Sequence, residues 1–216
     1  MFKINSDCLL NITLHNLGRR FDQEWVFRNI DYTFSTSKKY AILGPNGSGK
    51  STLLKTIAGQ LSPSDGRIAY HTNTDSEIHV DDIYAHVVFA APYMELIEEF
   101  TLREMVDFHF KFKSLLKGFE KSVIISCLAM EHAADKQIKY FSSGMKQRLK
   151  LALSCFSESD ILLLDEPMSN LDAEGERWYL DLVNRTCSDG RLLIIGSNQE
   201  KEYGFCEEYI HIMDYK

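Results

Sequence analysis

The sequence lacks an apolar stretch long enough to cross a membrane. Apolar runs such as Ile161–Leu164 and Leu192–Ile195 have the length of strands, whereas a spanning helix needs about 20 predominantly apolar residues. Lys3 and Asp7 are followed by no long apolar segment, so the sequence predicts no signal peptide. Repeats and low-complexity segments are also lacking. Because 44% of the 216 residues are hydrophobic, a disordered chain is excluded, and one large domain or two small ones are expected.

Cysteine is scarce, and its spacing fits neither disulfide pairing nor metal binding. The five cysteines are Cys8, Cys127, Cys155, Cys187 and Cys206, an odd number without a CxxC motif. The seven histidines show no metal-ligand spacing either. This pattern indicates reduced thiols in a cytoplasmic protein rather than a disulfide framework or a zinc site.

Basic residues are the minority among the charged side chains. Lys and Arg number 24 against 31 Asp and Glu, which gives a formal net charge of −7. An acidic surface argues against a general nucleic-acid groove. We therefore expect no nucleic-acid partner.

The hydrophobic patterns predict an α/β fold. Alternating apolar residues in 10–14 and 30–34 predict antiparallel strands, and later apolar segments alternate with helical patterns, which indicates a mostly parallel sheet. The predicted strands are Tyr40–Leu43, Arg67–Tyr70, Ile161–Asp165 and Arg191–Ile195, and the predicted helices begin at Leu53, Thr101 and Ser143 or cover Phe119–Met130 and Ala173–Cys187. We expect one domain, with 1–92 and 158–216 as its core and antiparallel portion and 93–157 as an inserted helical subdomain.

A glycine-rich segment after the strand Tyr40–Leu43 matches the phosphate-binding motif G-x-x-x-x-G-K-[ST] without a mismatch. This P-loop consists of Gly44, Pro45, Asn46, Gly47, Ser48, Gly49, Lys50 and Ser51, and with Thr52 these are the predicted nucleotide contacts. Glycines let the backbone aim N–H groups at phosphate oxygens, and the following helix adds its dipole. Lys50 is expected to reach the β- and γ-phosphates of ATP, and the Ser51 hydroxyl to bind Mg²⁺. The alternative is a glycine-rich loop without phosphate.

Two acidic residues follow the apolar segment Ile161–Leu164. Asp165 and Glu166 would stand at the carboxyl edge of the sheet, where ligands bind in open α/β folds. Asp165 is expected to hold the hydration shell of Mg²⁺, and Glu166 to accept a proton from an attacking water as the general base. On this segment alone, a solvated strand end is the alternative.

The segment Phe141–Met145, with the sequence F-S-S-G-M, lies between these two motifs. Here the chain resembles the ATP-binding cassette (ABC) ATPase family, whose signature is L-S-G-G-Q: Ser142 and Gly144 are retained, and Met145 replaces Gln. The segment Ser169–Asp172 is similar to the D-loop of that family. The resemblance covers nearly the whole chain and implies a P-loop NTPase core. An N-cap is the alternative role for Ser and Gly before a helix.

The resemblance implies a mechanism and a set of partners. Two such domains, here a homodimer or a paired ATPase subunit, associate head to tail with each ATP between one P-loop and the partner's signature. The residues implied in nucleotide contact, beyond the P-loop, are Phe21 on the adenine, the signature residues Ser142, Ser143 and Gly144, and Asp172 of the D-loop. A core Phe is the alternative for Phe21. A transport role requires a separate integral-membrane permease, which would hold the subunit at the inner face of the cell membrane, as in bacterial multi-chain exporters.

The sequence departs from the family at two positions. The family's glutamine that contacts Mg²⁺ and the attacking water would fall at Ala91 or Pro92, and Glu95 is the nearest carboxylate. The family's histidine at the γ-phosphate is replaced by Asn198, which can donate a hydrogen bond but carries no charge. We therefore expect ATP binding with slow basal hydrolysis. The alternative function is a nucleotide-dependent dimerisation switch without a transport role; a DNA-repair or translation ATPase would need more than 216 residues.

The segment Tyr93–Phe100 follows the position of the missing glutamine. It alternates apolar side chains with Glu95, Glu98 and Glu99. The resemblance implies that a short helix of the membrane subunit docks here. An internal turn of the helical subdomain is the alternative.

Overall fold

A computed structural model describes residues 10–36, 38–72, 74, 76–187 and 190–216. Lys3, Asp7 and Cys8 lie outside the described residues, together with every expectation that rests on residues 1–9. The strands are β1 Leu10–Phe21, β2 Glu24–Ser35, β3 Lys39–Leu43, β4 Asp65–Thr72, β5 Glu77–Ile78, β6 Val87–Ala90, β7 Ile161–Asp165, β8 Leu192–Ser197 and β9 Glu208–His211. The helices are α1 Lys50–Ile57, α2 Leu102–Phe112, α3 Lys121–Cys127, α4 Ser143–Cys155, α5 Ala173–Thr186 and α6 Glu200–Tyr203. Short 3₁₀ turns cover Val80–Ala85, Glu131–Ala133, Ile138–Tyr140 and Ile212–Tyr215.

The described chain divides into two compact units. The first contains the described residues of 10–89, Ser159–Glu166 and 190–216. The second contains Ala90–Glu158 and the described residues of 167–187. Below they are called the phosphate unit and the signature unit. The expected boundaries at 92/93 and 157/158 stay a prediction.

The phosphate unit is built around a five-stranded sheet in the order β6-β7-β8-β3-β9. The pairs β7–β8, β3–β8 and β3–β9 are parallel, which confirms the predicted fold class. β7 and β8 are buried along their full length, as expected for central strands with covered faces. In register, Asp165 lies opposite Gly196, and Leu43 opposite Ser197. The carboxyl ends of β3, β7 and β8 therefore meet at one edge.

An antiparallel sheet in the order β2-β1-β4-β5 completes the phosphate unit. The predicted inward faces are buried: Leu10, Ile12, Ile30 and Phe34 are each 0% exposed. Such alternation in β1 and β2 is what a sheet with one covered face requires. The expected antiparallel portion is thus present in the structure.

The signature unit is helical. The capping box predicted at Thr101 is present: its side chain accepts from the N–H of Glu104, and the Glu104 carboxylate accepts from the N–H of Thr101. The helix predicted over Phe119–Met130 is wrong at both ends, since α3 covers only Lys121–Cys127. Glu120 has an extended backbone (φ −114°, ψ 154°), and Ala129 has a positive φ of 53°; a continuous helix allows neither. The ring of Phe119 instead packs edge-on against Phe156, with the centroids 5.1 Å apart.

No helix among the described residues is both long and apolar enough to cross a membrane. Of the cysteines within the described ranges, Cys127, Cys155, Cys187 and Cys206 are free thiols. Within the described part of the chain, no group of three or more His, Cys, Asp or Glu side chains is placed to hold a metal ion.

Candidate functional site

The P-loop lies between β3 and α1, as its motif predicts. Gly49, the residue before α1, has a φ of 106°, and a Cβ there would stand 2.5 Å from Cγ1 of Val26. Gly47 has a φ of 75° but faces open space. A side chain at Gly49 would therefore meet both a forbidden backbone conformation and a steric clash. No side chain caps the N-terminus of α1, whose first N–H groups have no partner within the helix.

Lys50 is buried inside this loop. The residue is only 3% exposed, and its Nζ donates to the carbonyl oxygens of Gly44 at 2.9 Å and Pro45 at 3.1 Å. A buried ammonium group without hydrogen bonds would cost several kcal/mol, on the order of the penalty for burying a charge. The two carbonyls therefore hold the cation in place at the loop, ahead of any ligand.

Asp165 ends β7 directly at the carboxyl edge of the sheet. It is 2% exposed, and its Oδ1 lies 3.0 Å from the point where Gly196 would carry a Cβ. The same point is 2.8 Å from Cδ1 of Leu54, so α1 packs on this part of β8. Glycine at position 196 thus makes room for the carboxylate and for the helix that begins at Lys50.

Glu166 adopts a backbone conformation that is unusual for its side chain. Its φ is 43°, in the left-handed region where a non-glycine residue stores roughly 1–2 kcal/mol of strain. The N–H of Glu166 donates to the carbonyl of Gly196 at 2.9 Å, and the residue is half-buried. The strained turn directs the chain away from the sheet immediately after Asp165.

Asn198 follows β8 and contacts the P-loop. Its Nδ2 donates to Oδ1 of Asn46 at 2.9 Å. The preceding residue, Ser197, is fully buried and hydrogen-bonds the carboxylate of Glu202 on α6. The structure therefore brings the position that replaces the family's histidine against the P-loop, with an amide in place of an imidazole.

Phe21 lies at the tip of the β1–β2 hairpin and is 48% exposed. The guanidinium carbon of Arg19 stands 4.6 Å from its ring centroid, and Nη1 of Arg19 donates to the carbonyl of Ser62 at 2.9 Å. Arg19 thus covers one face of the ring in a cation–π contact. The position of Arg19 on the Phe21 ring could not be predicted from the sequence, because its hydrogen-bond partner Ser62 is distant in the chain.

In the signature unit, Ser142 is the N-cap of α4. Its side chain accepts from the N–H of Met145 at 3.2 Å, while Ser142 and Ser143 are exposed. A Cβ on Gly144 would stand 3.0 Å from the carbonyl oxygen of Asn170. The signature segment and the D-loop are therefore neighbours, and the structure leaves the start of α4 open to solvent.

Asp172 caps α5 in the same unit. Its Oδ1 accepts from the N–H of Gly175 at 2.8 Å, and Nη2 of Arg148 lies 3.6 Å from both Asp172 and Glu174. The pKa of Asp172 is lowered, first by the Gly175 hydrogen bond and further by the nearby Arg148. Arg148, which α4 carries beside the signature, thus joins that helix to the start of α5.

A cavity of about 390 Å³ opens between these segments. Its lining includes Leu128, His132, Ser142, Gly144, Arg148 and Asp172. The predicted signature and D-loop residues are therefore assembled around one concavity.

A second cavity, of about 670 Å³, is formed by the segment Tyr93–Phe100 and α4. Its lining comprises Pro92, Tyr93, Met94, Glu95, Leu96, Ile97, Glu98, Glu99, Lys146 and Lys150. Lys146 forms an ion pair with Glu98, and Nζ of Lys150 donates to the carbonyl of Pro92. Ala91 is buried, and neither it nor Pro92 has a polar side-chain atom that could coordinate Mg²⁺ or water. We call this cavity the groove.

The comparisons with known proteins decide the family. A family model described as "ABC transporter" matches residues 27–169. The chain belongs to the ABC transporter family. It is 30% identical over 192 residues, 88% of this chain and 87% of the relative, to the uncharacterized ABC transporter ATP-binding protein YybJ of Bacillus subtilis. The lantibiotic transport ATP-binding protein SrtF of Streptococcus pyogenes is 27% identical, with 92% and 85% covered.

A solved ABC cassette has the same fold. The dimeric structure of a post-hydrolysis state of the ATP-binding cassette MJ0796, bound to ADP and Pi, aligns with a TM-score of 0.74 and 22% identity over 93% of this chain and 94% of that one. The predictions of an ABC ATPase fold and of ATPase activity are confirmed. This ABC protein is an ATP-binding subunit that hydrolyses ATP.

Proposed function

We propose that the chain is the cytoplasmic ATPase subunit of a transporter, which dimerises head to tail on ATP and drives a separate integral-membrane permease. The observation that carries this proposal is the P-loop with buried Lys50, next to Asp165 and Glu166 at the carboxyl edge of the same sheet. The names of YybJ and SrtF describe ATP-binding proteins of transporters, which supports the same role here.

The phosphate unit would hold the nucleotide. Lys50 and the N–H groups of Gly47 and Gly49 would contact the phosphates, since a loop that opens onto a helix N-terminus attracts anions. The rest of the P-loop and Thr52 would frame this cradle. The exposed ring of Phe21 would stack on adenine with the face that Arg19 leaves free. Stacking of this kind contributes about 1–3 kcal/mol per base.

Mg²⁺ would be held by Ser51 and Asp165. The fit is supported by the donor set, because both side chains offer oxygen, the ligand type that this cation prefers. Asp165 is also buried at the sheet edge against Gly196, on which α1 packs. When bound, the ion would neutralise charge that develops on the β- and γ-phosphates.

Hydrolysis would rest on Glu166 and Asn198. The Glu166 carboxylate would take a proton from the attacking water, which typically contributes about 10²–10⁴-fold in rate. Asn198 would donate a neutral hydrogen bond at the γ-phosphate, and charge-assisted bonds are roughly twice as strong. With Asn198 neutral and no polar side chain at Ala91 or Pro92, we expect slow basal turnover.

The signature unit would complete the site of a second copy. Ser142, Ser143 and Gly144 at the N-terminus of the 13-residue helix α4, with Asp172, would face the ATP of the partner. The positive end of a helix dipole favours this contact with the γ-phosphate. The MJ0796 cassette is dimeric in its structure with ADP and Pi, which supports pairing of this kind.

The Glu166→Gln protein tests this dimerisation. The substitution keeps the shape of the side chain and removes the base, so ATP should persist and hold two copies together. Light scattering is expected to report a dimer with ATP and a monomer without nucleotide. Glu77→Gln, a substitution of an exposed residue of β5, is the control and should return to a monomer after it has hydrolysed the ATP. A Glu166→Gln protein that remains a monomer at saturating ATP would contradict the proposal.

The groove is the proposed docking surface for the permease. Leu96 and Ile97 are half-buried within it, between the acidic Glu95 and the Lys146–Glu98 pair. An apolar floor with a charged rim suits a short amphipathic helix, which docks through spaced apolar anchors. The groove belongs to the signature unit, and the P-loop belongs to the phosphate unit.

Leu96→Asp and Ile97→Asp should weaken capture of the membrane subunit and leave ATP affinity unchanged. The control is Phe112→Asp, because Phe112 is 75% exposed on α2 and does not line the groove. The measurement is co-purification of the subunits after co-expression. Equal capture by all three variants and the native protein would contradict docking of the membrane subunit at the groove.

A second candidate function is a dimerisation switch without transport. The uncharged Asn198 beside the P-loop favours it, because slow hydrolysis would prolong the ATP-bound dimer. A low basal rate that no membrane subunit accelerates would support the switch. Acceleration by a permease would support the transporter.

A further inference from the structure

Lys216 lies against the P-loop, although it is far from the loop in sequence. Its Nζ donates to the carbonyl oxygen of Ser48 at 2.6 Å and to that of Val26 at 2.8 Å. Lys216 follows the 3₁₀ turn Ile212–Tyr215, and Cγ2 of Ile212 lies 2.6 Å from the point where Gly44 would carry a Cβ. The segment 212–216 therefore contacts the P-loop at two places: Ile212 lies beside Gly44, and Lys216 binds Ser48.

The hydrogen bond to Ser48 fixes the orientation of a peptide group. In a trans peptide the carbonyl of one residue and the N–H of the next point in opposite directions. With its carbonyl held by Lys216, the Ser48–Gly49 peptide directs the N–H of Gly49 to the other side. Lys50 acts likewise on the carbonyl of Pro45, which directs the N–H of Asn46 to the other side; the Gly44 carbonyl that it also holds precedes a proline, which has no N–H. Two lysines thus hold the carbonyls of the loop and leave N–H groups for a ligand.

The second hydrogen bond ties the loop to the hairpin. Val26 belongs to β2, and its Cγ1 occupies the space next to Gly49. One ammonium group therefore joins the backbone of β2 to the backbone of the P-loop at Ser48, the residue before the positive-φ Gly49. A flexible loop loses entropy when it binds phosphate, and a loop that is already oriented loses less.

We propose that Lys216 is a positioning residue that orients the Gly49 N–H toward the phosphates of the nucleotide. This inference rests on the proposed binding of nucleotide phosphates by the P-loop. It assigns to Lys216 no contact with the ligand: the side chain acts through the Ser48–Gly49 peptide. Its effect should therefore appear in the affinity for phosphorylated nucleotides and not in the affinity for adenosine.

The test compares Lys216→Met, Lys216→Arg and the control Lys136→Met with the native protein. Lys136 is an exposed lysine of the signature unit, so its variant loses the same charge away from the loop. Competition against a fluorescent ATP analogue gives Kd for ADP and for adenosine, and thermal unfolding without nucleotide reports stability. For Lys216→Met we expect the Kd for ADP to rise about tenfold, within the range for loss of a hydrogen bond to a charged group.

In the same variant the Kd for adenosine and the unfolding midpoint should match those of Lys136→Met. Lys216→Arg retains donors and charge, and it should recover most of the ADP affinity. Equal ADP affinity in the native and Lys216→Met proteins would overturn the role of Lys216 alone. A parallel loss of adenosine affinity or of stability would also overturn it, since both indicate a general structural role. A native protein that binds no ADP would instead overturn the proposed function.

Discussion

The phosphate unit buries several of its predicted site residues, whereas the signature unit exposes the predicted site residues that cap its helices. In the phosphate unit, Ser48, Lys50 and Asp165 are 4%, 3% and 2% exposed. In the signature unit, Ser142 and Asp172 are exposed and serve as helix caps. The first set is fixed by the packing of one chain, whereas the second is held by helix-cap hydrogen bonds, with Arg148 near Asp172, and faces solvent.

This difference follows from the cost of burying polar groups. A buried cation or carboxylate must be paired or hydrogen-bonded, so the fold itself determines where it stands. An exposed helix N-terminus is satisfied by water and gains a strong partner only when an anion arrives. This difference agrees with the proposal that the phosphate unit binds nucleotide within one chain and that the signature unit contributes to the site of a second copy.

Loss of the buried cation should have the largest effect on nucleotide affinity. Lys50→Ala removes the charge that Gly44 and Pro45 hold at the loop. We expect the Kd for ATP to rise about 100-fold, near the upper range for hydrogen bonds to a charged group. Isothermal titration calorimetry checks this, with Lys136→Ala as the control. A change below about twofold, well under 1 kcal/mol, would mean that the loop does not bind phosphate through Lys50.

A matched pair of glycine substitutions should separate the two units. Gly49→Ala places a methyl group 2.5 Å from Val26 at a φ of 106°, whereas Gly144→Ala meets only the Asn170 carbonyl at 3.0 Å. We expect Gly49→Ala to weaken ATP binding by about 30-fold, since a strained conformation and a clash together exceed 1–2 kcal/mol. Gly144→Ala should leave that Kd unchanged and reduce ATP-driven dimerisation. Equal effects of the two substitutions on the Kd for ATP would contradict the assignment of nucleotide binding within one chain to the phosphate unit.

A gain of charge at Asn198 should raise the rate without raising affinity. Asn198→His places a potential cation beside Asn46 of the P-loop. Because negative charge spreads over the γ-oxygens in the transition state, we expect kcat to rise about tenfold and Kd to stay within about twofold. Steady-state turnover at saturating Mg-ATP measures this. Unchanged kcat would show that another group already serves the γ-phosphate.

Much of the phosphate unit could be predicted from the sequence. The P-loop motif needs specific residue types at fixed spacing, and buried strands such as Ile161–Asp165 are apolar throughout, so local sequence determines both. The capping box at Thr101 was predictable for the same reason, because its two partners are three residues apart. The fold class followed from the strands and the P-loop, and the family and ATPase activity followed once the segments Phe141–Met145 and Ser169–Asp172 were added.

The remaining features depend on contacts between distant segments. The ends of α3 are marked by the extended backbone of Glu120 and the positive φ of Ala129, and helical periodicity in Phe119–Met130 does not reveal them. The contacts of Lys216 with Ser48 and of Arg19 with Ser62 join residues 168 and 43 positions apart. No sequence motif relates residues so far apart, so these contacts could not be predicted. The roles of Phe21, Asp172 and Asn198 stay predictions.

Acid should act mainly on the signature unit. His109 on α2 hydrogen-bonds Ser157, and burial, with a contribution from Lys113, lowers the pKa of His109 to about 4. Between this value and the ordinary value of about 6.5, the unfolded chain binds the extra proton, so stability rises with pH in this window. His109→Gln removes the titration.

The native free energy of unfolding should therefore fall more steeply between pH 6.5 and 4 than that of His109→Gln, by up to about 1.4 kcal/mol per pH unit. Urea denaturation at a series of pH values measures the two slopes. Above pH 7 the two slopes should agree. Parallel curves through the acid window would show that His109 titrates normally in the fold.

The most direct test of an ATP site shared by two copies mixes two variants, each with a substitution in a different unit. Lys50→Ala disables the phosphate unit, and Ser142→Asp keeps a helix cap but places a carboxylate at the signature, where the partner's γ-phosphate is expected. Each variant alone should hydrolyse almost no ATP. Mixed dimers contain one intact site, so the mixture should regain about a quarter of the native ATPase activity after random pairing. A mixture no more active than its separate components would contradict an ATP site shared by two copies.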